Sequence, residues 1–161
     1  MGKIIHVGMA DFKLAQPPDT LMTAGLGSCI GICILDEATR IACMSHIMLP
    51  SSQEAENPGN QAKYADTAII AALAALKAMG ANTNRLVAKI AGGAQMFQFI
   101  GKNDILKIGE RNALAVESNL EKHKIRLLNK DIGGHSGRTI TFDPATGDLH
   151  IRTIRQGEKI I

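Results

Sequence analysis

Apolar and polar positions fall in blocks along this chain, and the blocks predict its elements. Cys29 to Leu35 is apolar with β-branched enrichment, Asp36 to Arg40 is polar, and Ile41 to Leu49 is apolar again. That pattern predicts two antiparallel strands joined by a short turn. Upstream, Lys3 to Met9 predicts a first strand, and Gln16-Pro17-Pro18-Asp19 breaks the chain before a strand that runs into Gly25 and Gly27. Downstream, Pro50 to Asn60 is rich in Ser, Glu, Asn, Gly and Pro and reads as a surface loop. Tyr64, Ala65, Ala68, Ile69, Ala72, Leu73, Leu76 and Met79 then recur at helical spacing, with Asn60 as the expected N-cap and Gly80 as the stop. Arg85 to Ala91 predicts a further strand. Ile108 to Lys124 predicts a second helix, with Glu110 in its first turn and Lys122, His123 and Lys124 in its last, opposing the helix dipole. Ile125 to Lys130 begins a final β region, and Arg138 to Asp143 with Leu149 to Ile154 forms a hairpin around Pro144 to Gly147. The tail from Gln156 is expected to be an edge strand or loosely ordered. Strands outnumber helices, and the helices are inserted between strand groups. The expected fold class is therefore α+β, a largely antiparallel sheet system covered by two main helices.

Composition narrows the function classes. The 161 residues suit one domain, 1–161, with a substantial core. A net charge of +3 without a dense Lys/Arg run, and aromatics at 3%, give no footprint for nucleic acid or for a polybasic membrane anchor. The uncharged run Ala68 to Leu76 is too short to span a bilayer, which needs about 20 apolar residues. Three cysteines with no CxxC and no Cys/His zinc spacing predict no metal site and a reducing compartment. MGKIIHVGM lacks the extended apolar region of a signal peptide, so a cytoplasmic protein is expected. Gly92-Gly93-Ala94 lacks GxGxxG or GK[ST] spacing and reads as a tight turn, with Met96, Phe97 and Phe99 as packing residues. His135 beside Ser136 reads as part of a glycine loop, not as a hydrolase pair.

Candidate chemistry concentrates between Leu21 and Pro50. Gly25, Gly27 and Ser28 form a glycine-rich corner immediately before Cys29. In an antiparallel pair the end of the second strand returns beside the start of the first. His46 is thus expected next to Cys29, facing side chains being about 4.5–5.5 Å apart at Cβ. An imidazole beside a thiol can take its proton and leave a nucleophilic sulfur, for which a carbonyl carbon is the natural target. Backbone N–H groups at Gly27, Ser28 and Cys29 would meet the resulting oxyanion. Thr23, on the strand entering the corner, is expected to orient His46 through its hydroxyl or its backbone carbonyl. Cys33 and Cys43 lie within the apolar strands and read as packed small hydrophobes.

The segments TAGLGSCIGICILD and MSHIMLP resemble the signature of the CheD family, chemoreceptor glutamine deamidases of bacterial and archaeal chemotaxis. KYADTAI, KIAGGAQMF, IGERN and DIGGHSGRTITFDPATGDLHIR resemble further blocks of that family in the same order. The resemblance implies a layered α/β/β sandwich, with Cys29 as nucleophile, His46 as general base and acid, and Thr23 as the third member. It implies no metal or organic cofactor. As partners it implies the cytoplasmic helices of chemoreceptors and a CheC-type phosphatase. Two other classes stay open: a non-catalytic module binding CheC or receptors, and a cysteine peptidase or small-molecule amidase.

Overall fold

The computed structural model describes residues 2–96 and 107–161. Ten strands and two α-helices follow one another as β1 (Ile4–His6), β2 (Asp11–Ala15), β3 (Thr20–Leu26), β4 (Ile30–Asp36), β5 (Ala42–Ile47), α1 (Ala65–Ala78), β6 (Leu86–Gly92), α2 (Ile108–Lys122), β7 (Arg126–Ile132), β8 (Arg138–Asp143), β9 (Asp148–Thr153) and β10 (Gly157–Ile160). The strands form two five-stranded sheets. The outer one has the order β1-β3-β8-β9-β10 and the central one β2-β5-β4-β6-β7. Among the described residues, β1 with β3 and β6 with β7 are the strands that pair in parallel.

Burial explains the layering. Every residue of β4 is buried, because both faces of this strand are covered, and a strand covered on both faces is a near-continuous apolar run. Ile30, Ile32 and Ile34 face Ile69 and Leu76 of α1 and Val116 and Leu120 of α2. Cys33 and Leu35 face the other way, towards Leu21, Ile140 and Phe142 of the outer sheet. Each such fully buried branched or aromatic side chain contributes about 1.5–3 kcal/mol. The outer sheet is covered on one side, and β8 shows the matching strict alternation, with Arg138, Ile140 and Phe142 inward. The result is the α/β/β sandwich, helices on central sheet on outer sheet.

Some boundaries differ from the sequence reading. The strand expected over Lys3 to Met9 shortens to β1, and the unanticipated β2 pairs with β5 at the edge of the central sheet. Asn60 does not cap α1. Its side chain accepts from the Ala62 N–H at 3.0 Å and caps a short 3-10 turn, and the helix starts only at Ala65. Gly80, at φ 100°, does terminate α1 as expected. The second helix ends at Lys122, and the tail forms β10, an edge strand paired with β9. The expected packing roles of Phe97 and Phe99 fall outside the described residues. Met96 is half exposed, beside Gly27.

Candidate active site at the sheet crossing

Gly27, Ser28 and Cys29 carry the chain from β3 in the outer sheet to β4 in the central sheet. A segment that leaves one ladder and has not joined the next must satisfy its carbonyls elsewhere. Here the Gly27 carbonyl accepts from the Ala94 N–H and the Cys29 carbonyl from the Gly93 N–H, each at 2.9 Å, and the Ser28 carbonyl accepts from Asn112 Nδ2 at 2.9 Å. Gly92 makes this approach possible: a Cβ there would collide with the Cys29 carbonyl oxygen, and its φ of 122° excludes most side chains. Cys29 keeps 7% of its surface exposed.

His46 is wholly buried on β5. Its partner across the ladder is Gly31, with Ile30 opposite Ile47, so Cys29 lies on the diagonal from His46 on the same face rather than directly opposite. The sequence reading of direct facing is corrected by this register. Gly31 also lets the outer sheet come close, since a Cβ at that position would stand 2.5 Å from Ile140 Cδ1. Across the gap Thr23, on β3, places Oγ1 2.7 Å from His46 Nδ1 and 2.7 Å from the Val7 carbonyl oxygen. A hydroxyl has one proton, and the Val7 carbonyl can only accept it, so Oγ1 accepts from Nδ1–H. The ring is therefore held in its Nδ1–H tautomer. Nε2 is left as a bare acceptor, buried and without a hydrogen-bond partner among the described residues.

Residues 48–153 match the family model described as CheD chemotactic sensory transduction. The chain belongs to the CheD family. The matched stretch begins just past His46, but full-length relatives extend over the site. A probable chemoreceptor glutamine deamidase CheD of Syntrophomonas wolfei subsp. wolfei is 59% identical over 161 residues, all of both chains. Chemoreceptor glutamine deamidases CheD of Halalkalibacterium halodurans and Bacillus subtilis are 49% and 46% identical, covering 100% and 98% of this chain and 100% and 96% of their own.

Electrostatics in this CheD-family site favour neutral groups at rest. Burial pushes the Cys29 thiol up, its own backbone N–H drawing it partly back, and burial pushes the His46 imidazole below its ordinary value. Both shifts favour the uncharged forms, thiol and imidazole. The other two thiols are shut in the core. Burial pushes Cys43 up to about 12 and Cys33 higher still.

The remaining candidates stand apart from this cluster. His6 is exposed on β1, and His135 Nδ1 lies 3.0 Å from the Gln95 carbonyl oxygen on the surface. Among the described residues, no group of three or more His, Cys, Asp or Glu side chains comes together as a metal site, and no helix is long and apolar enough to cross a membrane. An open groove of about 770 Å³ runs past Gly25 and Met96 between His135 and Arg155, without the side chains of the Thr23–Cys29–His46 cluster in its lining. Two participants escaped the sequence reading. Val7 contributes only a carbonyl, which leaves no trace in a side-chain pattern. Asn112 did leave one, a polar residue on the stripe Gly109, Asn112, Ala113, Val116 and Leu120 that α2 buries.

Proposed function

We propose that this chain hydrolyses glutamine side-chain amides on chemoreceptors, converting them to glutamates through a Cys29 thioester. The observation that carries the mechanism is the bare, buried Nε2 of His46, on the same sheet face as Cys29 and oriented through Thr23 and Val7. The names of the full-length relatives supply the substrate. The thiol proton passes to Nε2 as sulfur adds to the carboxamide carbon, and the carbonyl electron pair moves onto oxygen. The Gly27 N–H is spent on the Gly25 carbonyl at 3.1 Å, contrary to the sequence expectation, so the backbone N–H groups of Ser28 and Cys29, that of Cys29 foremost, stabilise this oxyanion. The imidazolium then protonates the departing amide nitrogen, releasing ammonia and leaving the thioester. Water, giving its proton to Nε2, adds to the thioester, and the sulfur leaves and is reprotonated. The sum is amide plus water giving carboxylate and ammonium.

Access to the sulfur supports a glutamine side chain over an extended backbone, because so little of Cys29 reaches the surface that only a slender group can approach. The same reading locates the protein in the cytoplasm with the receptor's methylated helices, and a CheC-type phosphatase is a second partner. Mass spectrometry of a receptor cytoplasmic fragment after incubation is the direct test. Wild-type protein is expected to convert specific glutamines to glutamates, and Cys29→Ala to bind the fragment without converting it. Conversion by the alanine variant would refute the nucleophile.

A further inference from the structure

We infer that Asn112 of α2 is a positioning residue that aims the Cys29 backbone N–H at the oxyanion; the inference rests on the Cys29 chemistry proposed above. Asn112 has no exposed surface. Its Nδ2 spends both protons on backbone carbonyls, those of Ser28 at 2.9 Å and Met48 at 3.0 Å. The amide orientation follows from these acceptors, since the opposite one would press Oδ1 against two carbonyl oxygens.

The consequence for Cys29 comes from peptide geometry. The Ser28–Cys29 bond is a planar trans unit in which C=O and N–H point in opposite directions, so holding the oxygen sets the direction of the N–H. The next peptide plane is held as well, by the Gly93 N–H on the Cys29 carbonyl. Both planes flanking the nucleophile are thereby fixed, one of them by a side chain. The second bond reaches the base. The β4–β5 ladder ends at the Ile30–Ile47 pair, and Met48 would be the next partner of Cys29. One amide therefore joins the two strands where their ladder stops, holding the nucleophile's corner to the strand that carries His46.

Asn112 Oδ1 is buried with no hydrogen-bond partner among the described residues, so the amide is held through Nδ2 alone.

Acylation needs an oxyanion site and alkylation does not, which separates positioning from general disorder. The probes are p-nitrophenyl acetate, whose Cys29-dependent burst of p-nitrophenolate is absent in Cys29→Ala, and iodoacetamide. Asn112→Leu keeps the volume and deletes both donors, and Asn112→Ser is the smaller alternative. In either folded variant acylation is expected to fall by about 10²-fold while alkylation stays within about threefold of wild type. Equal loss of both rates, unchanged acylation, failure of both variants to fold, or no Cys29-dependent burst in wild type would overturn the inference. Ammonia release from a receptor fragment is measured alongside. A wild type that acylates yet releases no ammonia would sink the deamidase reading, while the ratio of the two rates still decides on Asn112.

Discussion

Thr23 is where a single atom has the most leverage. Thr23→Val keeps the strand shape but leaves the Val7 carbonyl without its donor and His46 Nδ1–H without its acceptor. Two orphaned groups destabilise by about 1–3 kcal/mol each when they stay dry. More telling is the rate of ammonia release, expected to drop on the order of 10²-fold with KM little changed, since tautomer control and general-base work are lost together. Full activity in this variant would show that the hydroxyl does not matter. The pH profile tests the same ring. In the proposed mechanism His46 acts as a base only when neutral, and burial lowers its pKa, so the acid limb of kcat/KM should lie below the pH at which a free imidazole titrates. Stability has the same sign: the unfolded imidazole protonates first, so stability is lost as pH drops from 6.5 to the folded pKa. Among the thiols, a neutral-pH probe should label Cys29 well before Cys33 or Cys43, which are wholly enclosed. Equal labelling of the folded protein would contradict this. The letters Cys, His and Thr were visible in the sequence because their chemistry is distinctive. The Val7 carbonyl was not, because backbone participation has no residue type.

At the level of elements, strongly patterned segments were legible and weakly patterned ones were not. β4, β5 and α1 announce themselves through long apolar runs and helical spacing. β2 is five residues at a sheet edge with Asp11 and Lys13 on it, too short and too charged to stand out, and it acquires its conformation from β5. Asn60 caps a 3-10 turn rather than α1, and a cap signal shows that a turn begins but not whether it continues as an α-helix. The diagonal offset of Cys29 from His46 was also hidden, since register depends on turn geometry that composition does not reveal. One junction carries a prediction of its own. Asp36, at the end of β4, is wholly buried and accepts from Arg85 Nε at 2.6 Å, Arg85 Nη2 at 3.0 Å and the Asn82 N–H at 2.9 Å. The Arg85 guanidinium holds this carboxyl far below the usual carboxylate range. Its contribution is present above the unfolded carboxylate pKa and disappears as pH falls towards the folded one. Arg85→Met should therefore lower Tm and make acid unfolding begin at higher pH, while kcat of the folded protein is unchanged. An unaltered acid limb would remove Asp36 from the account.

For the molecule as a whole, the fold class was legible and the layering came only through family resemblance. Nothing in the run from Thr20 to Leu35 says that β3 and β4, separated by three residues, belong to different sheets. Only the contacts made on each side decide it. Gly31 is the most exacting of these: Gly31→Ala puts a methyl against Ile140 Cδ1 and should cost about 1–3 kcal/mol by overpacking. The same methyl widens the space between the sheets beside His46, so the rate should fall in the folded variant, measured by ammonia release below its Tm. The crossing also divides the cluster, Thr23 standing on one layer and Cys29 and His46 on the other. In the proposed mechanism, catalysis then works as a gauge of the gap between two slabs. On slow heating, turnover should fade while circular dichroism still reports every strand in place, because a separation too small to melt either sheet is enough to release the ring of His46 from Thr23.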